Sequence, residues 1–151
     1  MTLLRTQLRE VIVQRLRKGT SYRVLDHPLV PISEADLPAL TVRLEKATRV
    51  EDLTSVLGSG VCIHTYEMPV VVEGIVLAET DLQRALEDMA LQIMQIVSED
   101  LTLGGLCKAL YWDSGVEVSL SREGEKPLGS VRLVGTLVYR TASHAPEKPW
   151  N

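Results

Sequence analysis

"ALTVRLEKA", Ala39 to Ala47, alternates apolar and polar residues from Leu40 to Glu45, and the rest of the fold can be built outward from it. Leu40, Val42 and Leu44 fall on one side, with Thr41, Arg43 and Glu45 on the other. Successive side chains of an extended chain point to opposite faces, so this is a strand with one face on a core and one toward water. A sheet with one wet face needs helices on the other.

Two segments supply them. In the first, Leu4, Leu8, Val11 and Ile12 recur at helical spacing, while Arg5, Gln7, Arg9 and Gln14 fill the other side and Gly19 marks a stop. The second, "TDLQRALEDMALQIMQIVSED" from Thr80 to Asp100, opens with Thr80 and Gln83 at capping-box spacing. On a wheel of about 100° per residue, Leu82, Ala85, Leu86, Met89, Ala90, Ile93, Ile96 and Val97 share one arc. Leu91 falls opposite that arc, with Met94 to one side of it.

Outward from these elements the chain reads as more sheet. A proline-bearing connector, "TSYRVLDHPLVPISEADLP", holds one short extended piece near Tyr22 to Leu25. "TRVEDLTSVLGSG", Thr48 to Gly60, mixes charge with glycine and reads as a long projecting loop. "VCIHTYEMPVVVEGIVLAE", Val61 to Glu79, reads as a bent ribbon with an unpaired edge, because Pro69 needs an edge or a bulge. "CKALYWDSGVEVSLSRE", with Val116, Val118 and Leu120 facing one way, and "GSVRLVGTLVYRT" form a closing hairpin around the charged turn "REGEKPLG". The expected fold is therefore α+β, an antiparallel or mixed sheet with two main helices on one face and a projecting loop or ribbon. One domain spans residues 1–151, and residues 143–151 read as a flexible end.

Composition narrows the function classes. A net charge of −4 lacks the electrostatic footprint of a duplex nucleic-acid binder. Apolar runs are broken at Arg5, Arg9 and Glu10, before an export signal could form, and no stretch approaches a membrane span, so a soluble protein is expected. Two cysteines, Cys62 and Cys107, are too few for a disulfide framework and read as reduced thiols.

Catalytic patterns are sparse. His27, His64 and His144 stand in no ligand spacing with each other or with the cysteines, although Cys62 and His64 share a strand face. Glu87 and Asp88 are consecutive on a helix and point about 100° apart, so they form no acid and base pair. Glu73, inside "VVVEGIVL", is the more interesting acid, since a buried carboxylate must be paired or protonated. The two glycine clusters, "LGSG" and "LGGL", lack the context of a phosphate cradle. No catalytic residue, metal ligand or cofactor site is expected, which leaves interaction surface.

The order and texture of the chain resemble one family, the tail terminator proteins of long-tailed bacteriophages, also called minor tail protein U-like proteins. The resemblance lies in the N-terminal helix, in "ADLPALTVRLE" followed by a charged loop and "MPVVVEGIVLAE", in "DLQRALEDMALQIMQIV", and most strongly in "YWDSGVEVSLSREGEKPLGSVRLVGTLVYRT". It implies a virion subunit made in the host bacterial cytoplasm and placed in the phage tail, without enzymatic activity or cofactor. Such a subunit forms a homohexameric ring on the tail tube protein, ends tube growth and offers its other face to the head-tail connector protein. Interface residues expected on that basis are Arg43 and Glu45, Arg49, Glu51 and Asp52 in the loop, Leu91 and Met94 on the second helix, and Arg122, Glu123, Glu125 and Lys126 at the hairpin tip. The rival readings are a neck, head-closure or tail-completion protein of related fold, and a small enzyme centred on Glu73 or on Cys62 and His64.

Overall fold

A computed structural model describes residues 2–25, 36–54, 62–78, 80–113, 115–121 and 127–150, with the backbone alone for 51–54 and 121. Helix α1 is Leu4–Gly19; strands follow as β1 (Arg23–Leu25), β2 (Ala39–Leu44), β3 (Thr48–Thr54) and β4 (Cys62–Leu77). Helix α2 (Leu82–Val97) then leads to β5 (Ala109–Trp112), β6 (Glu117–Ser121) and β7 (Leu128–Ala142). The fold is α+β, as the alternation in β2 and the two helical arcs predict.

Two long strands form the spine. β4 and β7 pair antiparallel from Ile63 with Ala142 to Leu77 with Leu128. Along the outer side of β4 lie β2 and, farther along, β3; along the outer side of β7 lie β6 and β5. β1 adds to β2 in the sheet's parallel pair, which makes the sheet mixed.

Both helices cover one face. α1 turns Leu4, Leu8, Ile12, Val13 and Leu16 inward, and α2 turns Leu86, Met89, Ala90, Ile93 and Val97 inward. These meet Leu40 and Val42 of β2, Met68, Val70 and Val72 of β4, and Val131, Leu133 and Leu137 of β7 in one cluster. Each such side chain contributes about 1.5–3 kcal/mol of burial, which is what holds the two layers together. Close approach depends on small residues. A Cβ on Gly19 would stand 2.6 Å from Ile96 Cδ1, so the glycine that ends α1 also lets α1 seat against α2.

Four local readings need correction. The expected loop from Thr48 begins as strand β3, paired with Cys62 to Glu67 of β4. A register shift between Arg49 and Glu51 breaks its alternation, and charge on an edge strand needs no burial, so neither face shows an apolar pattern. Residues 55–60 of that segment lie outside the described residues.

The Val61 to Glu79 ribbon is no open edge, since β4 is flanked on both sides. Pro69 fits there because Glu45 N–H donates to its carbonyl at 2.9 Å, just where β2 has ended and β3 has not begun. Its missing N–H therefore points into a gap between two partner strands.

At the start of α2 the capping box does not form. Asp81 takes the N-cap position in a left-handed conformation with no side-chain cap bond, which leaves Thr80 one residue too early. Gln83 Nε2 donates instead to Glu87 Oε1 at 3.4 Å. The first arm of the closing hairpin is likewise two strands rather than one: Trp112 pairs with Gly135 but Glu117 with Arg132, so four residues of this arm oppose two of β7. Gly115, at φ +95°, supplies the backbone freedom that this bulge requires.

Residues 143–150 turn back on the body. Ser143 N donates to Cys62 O, Gln7 Nε2 donates to Glu147 O, and Trp150 N donates to Arg140 O on β7.

Candidate functional site on the open face of the sheet

The face of the sheet turned away from the helices carries a band of charge that register alone assembles. Thr41 stands opposite Glu73, Glu73 opposite Arg132, and Arg132 opposite Glu117, a row across β2, β4, β7 and β6. Arg43 is one step along β2, diagonal to Glu73 and still within reach of it. Arg43 Nη1 lies 3.7 Å from Glu73 Oε1, and Arg132 Nε lies 3.8 Å from the same oxygen. The row continues through Arg132 Nη1 to Glu117 Oε2 at 4.0 Å and through Arg43 Nη2 to Glu45 Oε1 at 3.4 Å.

Glu73 is thus answered by two arginines, and its side chain is 35% exposed rather than buried. Pairs this open each contribute about 0–1 kcal/mol, so the band adds little to stability. Val71 on the same face is buried, with Arg43 and Val134 beside it in register, and arginine methylenes commonly shield such a residue while the guanidinium stays wet. Arg132 Nε itself is buried without a hydrogen-bond partner.

The expected interface residues separate into groups. Arg43 and Glu45 are exposed and belong to the band. Arg49 lies apart on β3, with Nη1 3.4 Å from His64 Nδ1. Glu51 and Asp52 occupy β3 positions opposite Thr65 and His64, and their side chains lie outside the described residues. Arg122, Glu123, Glu125 and Lys126 also lie outside them.

On α2 the two singled-out residues differ. Leu91 is 54% exposed, whereas Met94 is half-buried and packs against the core cluster. Met94 is therefore chiefly a packing residue, one of the partly buried side chains set against the core.

Cys62 Sγ lies 3.9 Å from His64 Nδ1, at the outer limit of a sulfur contact, and the same nitrogen faces the Arg49 guanidinium. Cys107 is buried under the 101–107 turn, its S–H donates to Leu101 O at 3.5 Å, and burial pushes its thiol up to about 11. Among the described residues no group of three or more His, Cys, Asp or Glu could hold a metal ion, and no helix is long and apolar enough to cross a membrane.

Arg132 and Glu117 are members of the band that sequence reasoning passed over. Both sit in plainly alternating strands, but only the pairing of β7 with both β4 and β6 brings them to Glu73. No protein-family model matches the chain, and no curated protein matches it.

Proposed function

We propose that this chain is a structural subunit of a long-tailed phage that assembles into a ring, homohexameric in the family it resembles, on the end of the tail tube. The ring stops addition of further tail tube protein and presents its far side to the head-tail connector. The subunit acts by shape and charge complementarity, without a catalytic step or cofactor, in the host cytoplasm during assembly and in the virion tail afterwards.

The observation that carries this reading is the open sheet face. Its charged groups stand partly exposed and answer one another across four strands, as the polar groups of a docking surface do. Exposed Leu91 on the helix layer is a second, different surface, and a closed ring uses two different patches on each copy.

Adding the purified chain to polymerising tail tube protein from the same genome tests the proposal. A terminator shortens tubes in proportion to the amount added. Tubes of unchanged length would overturn it, and a head-closure protein would bind, if at all, without changing length.

A further inference from the structure

The charged band on the open face of the sheet is complementary to itself. Glu73 and Arg132 stand side by side on the two spine strands, with Arg43 outside them on β2 and Glu117 outside them on β6, so the signs run plus, minus, plus, minus across the face. A second copy turned about a two-fold axis that runs along the strands, midway between β4 and β7, lays this series over itself in reverse. Glu73 of each copy then stands over Arg132 of the other, and Arg43 reaches toward Glu117. The other two-fold arrangements centred on the band set like charges together. An axis along β4 places Glu73 over Glu73, one along β7 places Arg132 over Arg132, and one across the strands does both.

Two further observations favour such a partner. Arg132 Nε is buried without a hydrogen-bond partner, and the guanidinium stands 3.8 Å from Glu73 and 4.0 Å from Glu117, both too long for hydrogen bonds. A buried N–H without an acceptor is costly, so this guanidinium is short of a carboxylate. The same face also carries apolar residues that the fold leaves partly open: Ile75 and Val134 are half-buried, and Tyr111 is 60% exposed. Sheets that pack face to face stand about 10 Å apart, a gap that arginine and glutamate side chains from both sides can fill.

We infer that the open face binds the open face of a second copy of this chain about a two-fold axis, with Glu73 of each copy paired to Arg132 of the other. Such a contact closes after two copies, so it is separate from the contacts that build a ring. It goes beyond the proposed function and does not depend on it. Within that function, pairing withholds the docking face until the two copies part.

Sedimentation of the full chain at concentrations up to about 1 mM tests this. Wild type pairs, whereas Glu73→Lys and Arg132→Glu, each alone, weaken association about tenfold or more, since each sets like charges face to face twice. An equimolar mixture of the two variants recovers association to within about threefold of wild type, because both contacts between unlike copies then join opposite charges. Mixing changes nothing within either chain, so the recovery reads the contact between copies. Arg132→Glu mixed with Glu117→Lys combines the same opposite charge changes at positions that do not meet, and association stays weak. Thermal melts check the folding of each variant. Where Arg132→Glu unfolds, Arg43→Glu mixed with Glu117→Lys replaces it at two exposed positions. A wild type that stays monomeric, single reversals without effect, or equal recovery in the matched and mismatched mixtures overturns the contact. None of these outcomes bears on the tail reading, which tube shortening decides by itself.

Discussion

Met89 of α2 occupies the space that a side chain on Gly74 of β4 would need: a Cβ built there would lie 2.0 Å from Met89 Sδ. Leu40 and Val131 close in from the strands on either side, at 3.1 and 3.2 Å. The centre of α2 is thus seated on one bare backbone position of the central strand.

Gly74→Ala should lower stability by about 1–3 kcal/mol, the usual cost of forcing a methyl into a packed core. Met89 is flexible, so part of the strain can be relieved through it. In urea titrations the double variant with Met89→Ala should therefore show less loss than the two single losses added together. Strict additivity would mean that the two residues do not compete for the same space.

The two residues singled out on α2 should behave differently. Leu91→Glu should leave the melting transition nearly unchanged, within about 0.5 kcal/mol, because the site is solvent-exposed. Met94→Glu places a charge against the core cluster and should cost about 1–3 kcal/mol. Equal effects would show that Leu91 and Met94 are covered to the same extent.

How much of this was readable in advance follows from which forces are local. α1, α2 and β2 show their period in consecutive residues, so their faces can be read directly, down to the exposure of Leu91. β3 and the break at Asp113 to Val116 depend on a partner strand and a register that no local pattern encodes. The ion band has the same origin: Glu73 stood out as an acid among valines, but its partners Arg43 and Arg132 lie thirty and fifty-nine residues away in sequence. Thr80 differs for a reason of another kind, since one left-handed residue at Asp81 is enough to displace a capping signal.

Acid should act on the turn after α2. Asp100 Oδ1 accepts from Thr102 Oγ1 at 2.6 Å and from Thr102 N at 2.9 Å, and Oδ2 accepts from Gly104 N at 2.8 Å. These bonds favour the charged carboxylate, the Thr102 hydroxyl first, and lower its pKa from 3.8 to about 2. A depressed pKa contributes stability that is present above the unfolded value and lost as pH falls toward the folded one. Between pH 3.8 and about 2, wild type should therefore lose stability more steeply than Asp100→Asn. Parallel curves of urea midpoint against pH would remove Asp100 from the account.

The two thiols should react in order. Cys62 is half-exposed, while Cys107 is buried with its pKa raised to about 11, so at pH 8 an alkylating reagent should label Cys62 first. Mass spectrometry of the native protein should find Cys107 unmodified until urea is added. Early labelling of Cys107 would show that the 101–107 turn opens readily.

The most direct measurement is an averaged electron-microscopy image of the chain bound at the end of a tail tube built from the tube protein of the same genome. A closed ring of six copies should stand on the capped end. An image with another symmetry contradicts the hexamer, and tube ends that carry no ring at all contradict the proposed function.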